Sequence, residues 1–526
     1  MAAARALDRL SAFDLTSLAV EAPDTPMHVG VVALLDGHPP LADIRARILD
    51  GVRAVPRLRQ VVSRSARRPR WVDDPDFRVE EHVVPVAVEP PGGEAELLRL
   101  TAGLMAVPLD RSRPLWRVWV VTGLPERRLA LVVALHHAIG DGMAAMRIIG
   151  TLLDPSSAAA VPTPLAARSR RLAGPTPSSA AAVPTPLAAR SRRLAGPTPS
   201  SAAAVPTPLA ARSRRLAGPT PSSAAAVPTP LAARSRRLAG PTPSSAAAVP
   251  VPSAARSRRR AVGPGARRSP RAVWRALRQT RSAPRTSLNA PIGAGRRLGV
   301  IRLALAEARA VAHDAGGKVN DVILGLIGGG LRSLLQTRGE PVEGVALRVA
   351  VAVSLREPGE PAAYGNQNGS IIVRLRLGGT DPGARLRAVA AATTRAKREQ
   401  AAIAQQHCMV LAARAGLARR MSRTQRMVNL VESNLPGPPA PIVALGTPVL
   451  YLLPIGAIAG NLTIAFLALS YAGELIITAI ADRDRVPDLP VVLAGMRREW
   501  HTLRSAASGN GTRVGTFGPA AGSSGA

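Results

Sequence analysis

Apolar residues along this chain gather into short runs broken by turn signals, and the runs switch between a strand-like and a helix-like period. In the first 154 residues HVGVVALLD (28–36), EHVVPVAVE (81–89), LWRVWVVTGL (115–124) and LALVVALHH (129–137) read as strands, because β-branched and aliphatic residues fill the space between turns. Helices are predicted at 41–55, 94–106 and 142–153. Further on, RLGVIRLAL (297–305), VALRVAVAVSL (345–355), GSIIVRLRL (369–377), LTIAFLALSY (462–471) and ELIITAIAD (474–482) read as strands. Helices at 305–315, 320–336, 383–402 and 489–502 alternate with them. Strands mixed with helices in both stretches predict an α/β (α+β layered) architecture of two similar halves with mixed β-sheets.

One uncharged run, VLYLLPIGAIAGNLTIAFLALSYA (449–472), is long enough to span hydrocarbon. Pro454, Gly456, Gly460 and Asn461 divide it, so it reads better as two buried strands joined by a turn.

Between the halves the pattern vanishes. Residues 155–290 contain no Asp, Glu or Lys, and Arg, Pro, Ala and Ser dominate. A 22-residue repeat, VPTPLAARSRRLAGPTPSSAAA, occurs in four identical copies starting at Val161, Val183, Val205 and Val227, with a degraded fifth start at Val249. Scattered apolar residues among four prolines per copy cannot stack as a solenoid, so this stretch is expected to be a disordered linker, apart from a short helix near 267–280. The remaining layout is a first half at 1–154, a second half at 291–506 and a Gly/Ser-rich disordered tail at 507–526.

The linker also explains the charge. Its arginines supply 23 of the formal +35. Such a chain-wide excess suggests nucleic acid, but Trp274 is the only aromatic residue among them, and a nucleic-acid surface needs stacking groups or a recognition helix. No nucleic-acid partner is expected. Anionic lipid headgroups attract such a segment by about 1 kcal/mol per basic residue, which predicts peripheral association with a membrane or lipid-droplet surface. Cys408 is the only cysteine, so an intramolecular disulfide and a cysteine-rich metal site are excluded. The first residues, MAAARALDRLSAFDL, lack a secretory signal, and the expected location is cytoplasmic, at the inner membrane face or on lipid inclusions.

The densest local chemistry lies in LALVVALHHAIGDGMAAMRIIG: an apolar strand ending in His136 and His137, a turn through Gly140, Asp141 and Gly142, then an amphipathic helix. Successive strand side chains face opposite ways, so the two histidines cannot share one pocket. One of them is a candidate base, since an imidazole of near-neutral pKa can take a proton from an alcohol attacking a thioester and return it to the thiolate. Asp141 is a candidate to fix the loop, by an ion pair or by accepting backbone N–H groups. The competing view of the same residues is structural: a buried histidine pair closing a strand and an aspartate capping the next helix.

HHAIGDG matches the HHxxxDG motif of the bacterial wax ester synthase/diacylglycerol acyltransferase family, relatives of the chloramphenicol acetyltransferase and condensation-domain fold. LSAFDLTSLAVEAPDTPMHVG (10–30), WVDDPDFRVEEHV (71–83), PLDRSRPLW ending at Trp116 and the VND holding Asn320 and Asp321 resemble family segments in the same order. SLR (354–356), GNQNGS (365–370), ESNLPGP (432–438) and LSYAGEL followed by ADRDRVPDL extend the series.

The resemblance implies two chloramphenicol acetyltransferase-like subdomains with the site in a channel between them. It implies His137, the second histidine, as general base, and acyl transfer from acyl-CoA to diacylglycerol or a long-chain alcohol in a ternary complex, with no acyl-enzyme, metal or bound cofactor beyond that co-substrate. Gly142 then permits the turn, Arg356 is a candidate partner for Asp141, and the Asn320 and Asn434 segments line the channel. Asn320 reads equally as a helix N-cap, Asn434 with Gly437 as a turn, and Pro114, Leu115 and Trp116 as packing. The alternatives are an acyltransferase for another alcohol, of a polyketide-associated or condensation type, and a catalytically silent lipid-surface or anion-binding protein.

Overall fold

The computed structural model of the 526-residue chain describes residues 9–63, 69–153, 283–354, 366, 368–398 and 416–511. The repeats, the helix expected near 267–280, Arg356 and Cys408 lie outside them.

The chain begins with α1 (Ala12–Val20), β1 (His28–Leu35), α2 (Leu41–Ala54) and a small strand pair, β2 (Gln60–Val62) with β3 (Trp71–Asp73). There follow the single turn α3 (Val79–His82), β4 (Val83–Ala87), α4 (Glu94–Met105), β5 (Trp116–Thr122), β6 (Leu129–His136) and α5 (Gly142–Leu153). The second stretch runs β7 (Arg296–Ala304), α6 (Leu305–Asp314), α7 (Val319–Thr337), β8 (Ala346–Ser354), β9 (Asn368–Arg376), α8 (Pro382–Arg398) and α9 (Ala418–Thr424). It closes with β10 (Leu430–Pro436), β11 (Val443–Ala444), β12 (Thr447–Ile455), β13 (Ile464–Tyr471), β14 (Glu474–Asp482) and α10 (Leu489–Gly511).

Among the described residues two six-stranded mixed sheets form, in the orders β11-β12-β1-β6-β5-β4 and β7-β14-β13-β10-β8-β9. The parallel pairs are β4 with β5 in the first, and β10 with both β13 and β8 in the second. The expected mixed sheets are therefore present. Their membership is less simple than the division of the chain at its linker.

The uncharged run at 449–472 forms β12 and β13, as its internal Pro and Gly residues suggest, and no helix among the described residues is long and apolar enough to cross a membrane. The two strands do not make a hairpin. β12 pairs with β1 of the first sheet, with Gly30 opposite Ile455, while β13 stays in the second sheet beside β14. Without β12, β1 would be an exposed edge. Tyr471 of β13 ties the two together, its hydroxyl donating to the Val449 carbonyl at 2.8 Å.

β6 shows how the layers form. Leu129, Leu131, Val133 and Leu135 pack with Ile44, Ile48, Ile148 and Leu152 of α2 and α5. The alternate residues Ala130, Val132 and Ala134 face Leu453, Ile455 and Ile476 from the second half of the chain. Both faces are covered, which is why the strand is an unbroken apolar run. Each fully buried aliphatic side chain contributes about 1.5–3 kcal/mol. In the second half α7 packs closely on α10: a Cβ at Gly330 would lie 2.7 Å from the Val492 carbonyl oxygen. Glycine inside a helix costs about 1 kcal/mol relative to alanine, and here it admits the neighbouring backbone.

Several expectations change. The fold resumes by residue 283, not 291, because Leu288 is buried in the second core and its carbonyl accepts the Thr463 N–H at 3.2 Å. α10 runs to Gly511, into the stretch expected as tail, with Ala507 against the core. Residues 79–82 are a helical turn before β4, so that strand is shorter than EHVVPVAVE suggests. The segment ESNLPGP is strand β10 through Pro436, so Asn434 is not in a turn. Two neighbouring strands supply its parallel pairing, Asn434 opposite Ala468, and that tertiary pairing overrides the turn preference of Asn and Pro.

Candidate active site

The start of the loop after β6 is held by backbone hydrogen bonds. The His136 N–H donates to Leu115 O at 2.8 Å, His137 N–H to Met27 O at 2.7 Å and Ile139 N–H to His136 O at 2.8 Å. Asp141 is buried and its Oδ1 accepts the Ala144 N–H at 3.0 Å, while its carbonyl accepts the Ala145 N–H at 2.7 Å. It thus caps α5, as the structural reading of this residue has it. Arg356 lies outside the described residues. At Gly142 a Cβ would lie 2.9 Å from Leu435 Cδ1 of β10, so the glycine lets the second half of the chain close onto this loop.

The two histidine rings have separate surroundings. His136 is fully buried, with Nδ1 accepting the Ala138 N–H at 3.0 Å, which leaves the proton on Nε2, 3.3 Å from Glu21 Oε1. Glu21 in turn accepts from Arg111 Nε at 2.9 Å and Nη2 at 2.8 Å. Burial alone would raise the Glu21 carboxyl; His136 and Arg111 overcome it and hold the group at about 2. His28, directly across from His136 in the β1–β6 ladder, accepts the Leu109 N–H at 3.2 Å through Nε2. Burial, with His136 beside it, depresses His28 to about 4, so its ring is neutral at physiological pH.

His137 is only partly buried. Its ring stands 4.9 Å from the Phe13 ring of α1, at 46°. Nδ1 is enclosed without a well-formed hydrogen bond, and the His137 carbonyl is the backbone acceptor acting on the ring. Burial holds this imidazole below its usual value, with His136 adding to the effect and that carbonyl, Asp141 and Asn366 opposing it. Burial thus favours the uncharged ring, the form a base needs. Asn366 Nδ2 donates to the same His137 carbonyl at 2.9 Å and to Asp14 Oδ1 of α1 at 2.8 Å, so one carboxamide joins GNQNGS, α1 and the histidine loop.

Pro114, Leu115 and Trp116 behave as packing. Trp116 is buried, its indole N–H donates to Leu58 O at 2.8 Å, and the His82 ring stacks on it at 4.4 Å. Asn320 is not the cap of its helix. Lys318 holds that position, and Asp321 Oδ2 accepts its N–H at 2.8 Å, leaving the Asn320 carboxamide free to reach β10, where Nδ2 lies 3.4 Å from Glu432 Oε2. Glu432 and Asn434 are two residues apart on β10 and so share a face, while Leu435 points to the opposite face, at Gly142. β10 therefore links the Asn320–Asp321 turn to the histidine loop.

Glu21, His28, Arg111, Asn366 and Glu432 did not stand out as functional residues in the sequence, although all lie near or within the motif segments. A signal existed for two of them: Glu21 lies between Val20 and Ala22, and Glu432 follows the apolar pair Leu430 and Val431.

Residues 10–244 and 243–323 match the wax ester synthase/diacylglycerol acyltransferase catalytic domain, and residues 364–504 match the C-terminal domain of the same enzymes. The chain belongs to this family. It is accordingly an acyltransferase of the diacylglycerol acyltransferase/wax ester synthase type. A putative diacylglycerol O-acyltransferase of Mycobacterium bovis is 29% identical over 499 residues, covering 91% of this chain and 92% of the relative. A probable diacylglycerol O-acyltransferase of Mycobacterium tuberculosis gives the same values. Among solved structures, the wax ester synthase/diacylglycerol acyltransferase from Marinobacter aquaeolei VT8 superposes with a TM-score of 0.59 at 20% identity, over 95% of this chain and all of that one. The starter condensation domain of rhizomide synthetase superposes at 0.53 with 13% identity, over 96% of each chain. These last two likenesses concern the fold, which is that of the two-domain acyltransferase and condensation enzymes.

Proposed function

We propose that this acyltransferase moves a fatty acyl group from acyl-CoA to the hydroxyl of a diacylglycerol or a long-chain alcohol, with His137 as general base. The observation that carries the reading is the contrast within HHAIGDG: His136 is fully buried with Nε2 3.3 Å from Glu21 Oε1, whereas His137 is only partly buried, its ring beside Phe13 of α1 in a loop that Asn366 and β10 also touch. His137 takes the proton of the acceptor hydroxyl as its oxygen attacks the thioester carbonyl. Collapse of the tetrahedral intermediate breaks the C–S bond, and the protonated ring returns the proton to the departing thiolate, so no acyl-enzyme is needed. Asp141 fixes the loop, and Asn320 and Asn434 contribute from the second half, Asn320 by orienting the acyl carbonyl.

The test is an ester-forming assay with labelled acyl-CoA and either acceptor. Labelled triacylglycerol or wax ester is the expected product, and failure of the wild-type protein to esterify either acceptor removes the reading. The arginine-rich linker is assigned to peripheral lipid association. Deleting 161–248 is expected to abolish sedimentation with anionic vesicles and to spare activity on dispersed substrate. Loss of both together would assign the whole function to the linker instead.

A further inference from the structure

β10 carries a buried acid where its neighbours are apolar. Glu432 pairs in register with Phe466 of β13 and Val351 of β8, and it is fully buried. Its Oε2 faces Asn320 Nδ2 at 3.4 Å, and its Oε1 has no hydrogen-bond partner. Asp321, the next residue along α7, is buried as well. Its Oδ2 takes the Lys318 N–H, and its Oδ1 has no partner. Two neighbouring buried acids thus each present one acceptor oxygen and no donor. With both ionised, two like charges would stand in a low-dielectric interior with half their oxygens unsatisfied.

A proton on Glu432 Oε1 would turn one of these acceptors into a donor, and Asp321 Oδ1 is a neighbouring acceptor that lacks one. Asp321 lies in the first turn of α7 and has the Lys318 N–H on its Oδ2. Glu432, inside a sheet, has neither. We propose that Glu432 is a neutral carboxylic acid at physiological pH, donating to Asp321 while accepting from Asn320, and that this shared proton positions the Asn320 carboxamide for the reaction. The part concerning the reaction rests on the function proposed above; the protonation does not.

The electrostatics agree with the geometry. Burial raises the Glu432 carboxyl from 4.5 to about 8, and Asp321 adds to the rise, against Asn320 and Lys397 of α8. These are the groups of the described residues that act on it from the packed elements. The position also fits. Leu435, three residues along β10, meets Gly142 of the histidine loop, and at roughly 3.3 Å per residue that contact lies about 10 Å from Glu432. Glu432 is therefore a positioning residue that acts through Asn320. As pH rises through about 8 the proton leaves, two like charges stand in the interior, and their repulsion shifts the Glu432 carboxylate together with the Asn320 carboxamide that donates to it. Activity then falls on the alkaline side.

The test compares wild type, Glu432→Gln and Glu432→Ala by infrared difference spectroscopy and by kcat against pH with saturating acyl-CoA. Wild type at pH 7 is expected to show a protonated carboxyl band that is missing in Glu432→Gln. Glutamine keeps a donor and an acceptor in the same shape and cannot ionise. It is expected to restore kcat to within about threefold of wild type at pH 7 and to remove the alkaline fall, while alanine lowers kcat by about tenfold or more. Absence of the carboxyl band from wild type overturns the shared proton. Persistence of the alkaline fall in Glu432→Gln, or equal losses in Gln and Ala, overturns the positioning role. If alanine prevents folding, the infrared comparison with glutamine still decides. If wild type proves unable to transfer acyl groups, the proposed function fails while the infrared result stands separately.

Discussion

Each half of the chain brings one buried polar cluster to the site region, and the two are built on opposite principles. In the first half Glu21, His136 and Arg111 form a chain in which an anion is held at about 2 by two basic partners. In the second, Asn320, Asp321 and Glu432 gather acids with no ion-paired cation among the described residues, and Glu432 is pushed to about 8. The first cluster keeps its charge and serves as a frame beside His136. The second surrenders a charge, so its geometry depends on a proton. The difference teaches that this site is rigid on the histidine side and titratable on the side of the second sheet.

Breaking the frame should have the largest effect on stability. Glu21→Ala leaves His136 and the half-exposed Arg111 without their shared acceptor and is expected to cost about 2–4 kcal/mol, read from the denaturation midpoint at unchanged m-value. The same group gives a pH signature. Its folded value of about 2 lies below the ordinary 4.5, so its contribution is present above 4.5 and is lost as pH falls towards 2. Over that window wild type should lose about 2–3 kcal/mol, and Glu21→Gln should be nearly flat.

Glu432 has the opposite sign. Its folded value is raised, so its contribution is present below 4.5 and is lost as pH rises towards 8; stability should decline across that range in wild type and not in Glu432→Gln. A decline shared by both proteins would erase the contrast between the clusters.

Where the halves meet, Gly142→Val should cost about 1–3 kcal/mol, because the new side chain meets Leu435, and Leu435→Ala in the same chain should recover part of the loss. Strict additivity of the two changes would place that contact outside the coupling. The smallest effect is expected for Asn366→Ala, about 1–2 kcal/mol for the hydrogen bonds to Asp14 and the His137 carbonyl, measured by thermal unfolding.

The strands and helices of each half were legible because β6 and α5 carry their period in plain sequence, and HHAIGDG announced itself by residue type. Three features were not. β12 sits in the first sheet because β1 offers it an edge, and no local pattern encodes a partner more than 400 residues away. β10 looked like a turn, since SNLPGP has turn composition and its pairing comes entirely from β8 and β13. Asn320 looked like a cap because Asn is a favoured cap residue, but Asp321 one position later reaches the backbone of Lys318 instead. Residues that act through tertiary partners, such as Glu21, Asn366 and Glu432, carry no periodic signal at all.

The central claim is that His137 alone of the pair performs the proton transfer. The direct measurement is the rate of labelled acyl transfer from acyl-CoA to the preferred acceptor by purified His137→Ala, with its fold verified by circular dichroism. A fall of about 100-fold or more is predicted, in line with the loss of a general base. Transfer by this variant at the wild-type rate would contradict the account.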